Sequence, residues 1–157
     1  MLLYEGEDKM SRLIYQRQSK RREELIKKLF LVISKKKTIK EELNDIKQYP
    51  TMTIISETSC GSSFNYDTLH IKININAIVR ITKDGYKDDY YMGRKTLINK
   101  YTLHNRHNET RFVICHELKH FCDRIKYGKD PYLTFGEEEA ERRADSFALS
   151  KLNPSRI

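Results

Sequence analysis

The chain has 157 residues, 38% of them hydrophobic and 33% charged, and a formal net charge of +8. That length suits one domain with a single core, and Ile, Leu, Tyr and Phe spread along the chain exclude a disordered polar polymer. Three cysteines, Cys60, Cys115 and Cys122, are too few and too unevenly spaced for a disulfide framework, so a reducing compartment is expected.

The opening "MLLYEGEDKM" carries acids at Glu5, Glu7 and Asp8 and does not read as a signal peptide. The apolar run "LFLVI" (29–33) is far too short to span a bilayer. A cytoplasmic protein without membrane contact is the expectation. Residues 1–50 hold 13 Lys/Arg against 8 Asp/Glu, so much of the positive charge lies there. A basic surface favours acidic partners, but no nucleic-acid-binding motif accompanies this charge.

Residues 9–48 read as helical, with Leu13, Ile14, Leu25, Ile26, Leu29, Phe30 and Ile33 at helix-like spacings. "SKKK" (34–37) interrupts the pattern. "TIKE" (38–41) then reads as a capping box, with Thr38 as cap and Glu41 three residues on, opening a short helix that stops before Pro50. From residue 51 the period changes. "TMTII" is β-branched and predicts a strand, and "CGSSFNYDT" (60–68) reads as a loop. "LHIKININ" (69–76) puts Leu69, Ile71, Ile73 and Ile75 on one face and His70, Lys72, Asn74 and Asn76 on the other, the mark of a half-buried strand.

Asp84-Gly85 signals a hairpin turn. Asn108 offers a cap for a helix over about 109–126, with Glu109 near the positive end of its dipole and Gly128 as the stop. Pro131 falls in the following loop, and a last helix starts near Glu137 and ends before Pro154. The pattern is α+β: a helical segment over 1–49, a candidate partner-binding extension, and a domain over 50–157 with helices packed on a short mixed or antiparallel sheet.

"RFVICHELKHFCDR" (111–124) sets His116 and His120 four residues apart, with Glu117 between them. On a helical wheel Ile114, Leu118, Phe121 and Ile125 form an apolar stripe, and the histidines lie opposite on neighbouring turns, where both can reach one metal ion. The ordinary alternative is a wet polar face. Phe112 and Val113 flank that face and are apolar, which points to something covering it. HExxH arises by chance on the order of one time in a hundred in a chain of this composition, so a third ligand is needed.

"EEEAERRADSFALSKL" (137–152) supplies one. Glu141 and Asp145 share a face with Ala148 and Leu152, where an amphipathic helix should be apolar. Buried carboxylates are costly unless paired or bound to metal. Glu141 as a zinc ligand removes the difficulty, and Asp145 can accept a hydrogen bond from the far nitrogen of a ligand histidine. Three protein ligands leave a fourth position for water, whose pKa zinc lowers toward ~7. Glu117 is placed to take its proton. An oxyanion donor is also needed, and Tyr127 and Tyr132, between the two segments, are the candidates. Cys115 and Cys122 read as small core or boundary residues, and His70, His104 and His107 as bystanders.

"RFVICHELKH" followed by "ERRADSFALSKLNP" resembles the ImmA/IrrE family of gluzincin metallopeptidases. The matching residues are Arg111, Phe112, His116, Glu117, Leu118, His120, Glu141, Ala144, Asp145, Phe147, Ala148, Leu152 and Pro154. The likeness covers about residues 108–154 and leaves the N-terminal helices unmatched. It implies a small zincin-like fold with His116, His120 and Glu141 on zinc and Glu117 as catalytic base. It further implies a regulatory substrate, by analogy a DNA-binding repressor. Lys119 departs from the family's usual glycine, and Lys151 and Asn153 from its apolar residues.

The expectation is a zinc-dependent endopeptidase acting on a specific regulatory protein. A zinc-binding regulator working through protein contact, with little turnover, is the alternative. A nucleic-acid-associated metalloprotein comes third.

Overall fold

A computed structural model of the chain describes residues 20–34, 50–56, 61–75 and 106–152. The capping box at Thr38 and Glu41, the Asp84-Gly85 hairpin, Cys60, His104 and Asn153 lie outside these residues. The described part is α+β, with helices packed on a small mixed sheet.

Residues 20–34 are helical and are labelled α1. Ile26, Leu29, Phe30 and Ile33 follow the i, i+3, i+4, i+7 spacing of one helix face, and all four are buried. They belong to the same apolar core as the sheet and the C-terminal helices. The three strands are β1 (Thr51–Ile55), β2 (Ser63–Asn65) and β3 (His70–Asn74), in the order β1-β3-β2. β3 pairs parallel with β1 and antiparallel with β2. Being central, β3 buries Ile71 and Ile73 completely, as the alternation predicts.

The loop expected over 60–68 is corrected in part. Ser63–Asn65 form a strand, with Phe64 opposite Ile71. Asn65 Oδ1 accepts the backbone N–H groups of Asp67 at 2.9 Å and Thr68 at 3.1 Å, an Asx turn that sends the chain straight into β3.

The histidine helix α2 spans Arg106–Tyr127. It therefore starts before Asn108, which lies inside the first turn, fully buried, and is not the cap. Gly128, at φ 76°, ends it, and its N–H bonds to Arg124 O at 2.9 Å. The stretch after Gly128 is not all loop. Pro131–Phe135 form a short helix, α3, with Pro131 in the first turn, where its missing N–H has no consequence.

Gly136, at φ 84°, closes α3 and opens α4 (Glu137–Ser150), whose first turn carries Glu137, Glu138 and Glu139 at the positive end of the dipole. α2 lies between the sheet and α4. Phe121 meets Phe64 edge-on, with centroids 6.1 Å apart. On the other side Ala140, Ala144 and Ala148 are fully buried and leave α4 room to approach closely. No helix among the described residues is long and apolar enough to cross a membrane.

Candidate metal centre

α2 is buried on both faces, which decides the character of its histidines. His116 is 7% exposed and His120 4%. Their Nε2 atoms stand 3.2 Å apart, with the rings edge to face. Glu141 reaches in from α4 with one carboxylate oxygen for each ring. Its Oε2 is 3.2 Å from His116 Nε2 and its Oε1 is 3.2 Å from His120 Nε2.

Ligands about 2.0–2.1 Å from a tetrahedral ion stand roughly 3.3 Å from one another, so these spacings fit one ion held by all three residues. His116, His120 and Glu141 are the triad that can hold a metal among the described residues.

The surroundings complete half of the support. Asp145 Oδ1 lies 2.8 Å from His116 Nδ1. A proton held on Nδ1 by Asp145 leaves the Nε2 lone pair facing the triad, the tautomer a metal ligand needs. His120 Nδ1 is buried with no hydrogen-bond partner among the described residues.

The partners of each group set the electrostatics of the triad. Burial lowers the basicity of His116. Hydrogen bonds to Asp145 and Glu141, with the nearby charge of Glu117, outweigh that and push its pKa up to about 10. Burial raises the Glu141 carboxyl, but hydrogen bonds from His116 and His120 hold it far below the ordinary carboxylate range.

Glu117 is 6% exposed and lines a cleft of about 370 Å³ that opens onto the triad. Tyr132, on α3, also lines it. The Tyr132 O–H donates to Glu141 Oε1, and the ring lies 5.6 Å from that of His120. Burial, then the charge of Glu141, drives the Tyr132 hydroxyl well above its ordinary pKa, so it stays a proton donor.

Tyr127 is not brought to the site. Its ring packs against Phe135 at 5.0 Å and beneath Arg143, and it is not among the residues lining the cleft. His70 sits on the sheet between Thr51 Oγ1 and Thr53 Oγ1, at 2.7 and 2.6 Å. The side chain of His107 lies outside the described residues. Cys115 and Cys122 are buried in the core.

Several residues escaped the sequence reading. Phe64, Tyr66 and Asp130 wall the cleft. "SFN" before "YDT" is a short alternation ahead of a turn, and "DP" at 130–131 is a cap followed by a first-turn proline, so both signals were present in the letters. The Asp123–Arg143 pair left no such trace. Asp123 is 1% exposed on the histidine face, and Arg143 grips it with Nε at 3.0 Å and Nη2 at 2.9 Å. The same guanidinium stacks on Phe135 at 4.1 Å, joining α2, α3 and α4 just beside the triad. Lys119 lies 3.5 Å from Asp123 and over the ring of Phe147.

Compared with protein-family models, with curated proteins and with solved structures, the chain matches none.

Proposed function

We propose that this chain is a zinc-dependent endopeptidase of the ImmA/IrrE type, acting on a specific regulatory protein. What supports this above all is Glu141, carried by a separate helix to a point 3.2 Å from each histidine of the HExxH pair. Two nitrogens and one carboxylate oxygen suit zinc, and three protein ligands leave a coordination position toward the cleft. The repressor-like substrate rests on the resemblance of "RFVICHELKH" and "ERRADSFALSKLNP" to that family.

When bound, zinc supplies Lewis acidity that polarises a carbonyl and makes water nucleophilic at neutral pH. The chain's own residues do the rest. Asp145 keeps the His116 proton on Nδ1 and so leaves Nε2 free to bind. Glu117, at the cleft wall beside the first ligand, takes the proton from the attacking water and returns it to the leaving amine. Phe64 and Tyr66 wall the cleft on the sheet side, and Pro131 and Tyr132 belong to α3. Together they position an extended peptide over the triad.

The test is zinc content and turnover in Glu117→Gln. The variant is expected to hold one zinc per chain like the native protein and to lose cleavage of its substrate protein by more than a hundredfold, the order given by removing a general base. A native protein that purifies without zinc and takes up none would refute the proposal, as would a variant that cleaves normally.

A further inference from the structure

We infer that Tyr132 is a positioning residue for the third metal ligand, its hydroxyl holding the Glu141 carboxylate against the two histidines. This rests on the metal-centre reading of the triad.

The terminal torsion of a glutamate is broad, so a carboxylate that must face two histidines needs outside partners. Tyr132 provides one at a defined place. Its O–H donates to Oε1, the same oxygen that faces His120 Nε2 at 3.2 Å, while Oε2 faces His116. Both backbone groups of Tyr132 are engaged. Its N–H bonds to Asp130 Oδ1 at 2.9 Å, and its carbonyl accepts the Gly136 N–H at 2.9 Å. The Asp130 carbonyl accepts two further N–H groups of α3, from Leu133 and Thr134, each at 3.0 Å. A helix of five residues is therefore pinned at both ends with its tyrosine aimed at the triad.

The phenol has a single proton to donate. While that O–H donates to Glu141 it cannot also donate to an oxyanion, so the two roles exclude each other in any one state. The observed partner assigns the proton to the ligand. The ring also lies 5.6 Å from that of His120, so ring and hydroxyl both face the triad.

The experiment measures zinc affinity of the full chain by competition with a chromogenic chelator. It uses the native protein, Tyr132→Phe, Glu141→Ala and the double variant. Tyr132→Phe keeps the ring and removes only the hydroxyl. It is expected to weaken zinc binding by about 10–100-fold, the range for the partner of a metal ligand. In the Glu141→Ala background the same change is expected to do nothing more, because its target is gone.

Native-like affinity in Tyr132→Phe overturns the inference while leaving the metal centre standing. So does an equal penalty with and without Glu141, which gives the tyrosine an independent structural role. An intense phenolate-to-copper charge-transfer band in the Cu(II)-loaded native protein also overturns it, by making Tyr132 itself a ligand. A native chain that binds no zinc at all removes the metal centre and this inference together.

Discussion

The two faces of α2 are almost equally buried and do opposite work. One presents Ile114, Leu118 and Phe121, each 0–1% exposed, to the apolar core. The other presents His116, His120 and Asp123, at 7%, 4% and 1%. Burial does not distinguish them. The distinction lies in what α4 brings to each polar group: Asp145 and Glu141 to the histidines, Arg143 to Asp123. A polar face can be as dry as an apolar one when every charge meets its partner, and the geometry this demands is what makes a binding site. The apolar face asks only for volume, and the polar face asks for particular atoms.

Substitutions on each face should separate stability from metal binding. Phe121→Ala, on the apolar face, is expected to lose about 4 kcal/mol in urea unfolding through lost burial and the cavity left behind. Asp123→Ala, on the polar face, removes both hydrogen bonds to the partly exposed Arg143 guanidinium and is expected to lose about 2 kcal/mol. For a chain of this size that is roughly 4–8 °C in Tm, readable by thermal melting.

Asp145→Asn changes little in volume but replaces the buried carboxylate paired with His116, so the zinc-free chain should melt lower than the native one while staying folded. It is expected to weaken zinc binding by about 10–100-fold, through loss of the carboxylate that fixes the His116 tautomer. If Asp145→Asn instead unfolds the chain and spares the zinc affinity, the division between the faces is wrong.

The last comparison is through pH dependence. His116 in the ion-free fold has its pKa raised from 6.5 to about 10. Its contribution to stability is complete below pH 6.5 and is lost as pH rises through about 10, because the folded state is the one holding the proton. On the proposed function zinc replaces that proton, so the loaded chain is expected to escape the decline. The increase in Tm on adding zinc should therefore grow as pH rises above 6.5, with protons released on binding. A constant increment would break the link between His116 and the ion.

Much of the helical part was legible because its signals are local. The strand around Ile71 and Ile73, the helix through His116 and His120, its stop at Gly128 and the helix from Glu137 all follow from period, cap and glycine chemistry within a few residues. The pairing of Glu141 with the histidines was also legible, since a carboxylate on a face shared with Ala148 and Leu152 has few other uses. β2 was missed because three residues are too short to show a period, and Ser63–Asn65 become a strand only by pairing with β3. Asn108 carried the letter of a cap, but the helix begins at Arg106 and takes it into the interior.

The sequence by itself determined that His116, His120 and Glu141 form a candidate metal-binding set, because residue types and helical spacing are properties of the chain alone. It could not decide between two tyrosines. Tyr127 and Tyr132 lie five positions apart with similar exposure, and only the turn at Gly128 and the cap at Asp130 send one toward Glu141 and the other onto Phe135. Nor could it pair Asp123 with Arg143, twenty residues away, since a charge shows its need for a partner only once folding has removed the water around it.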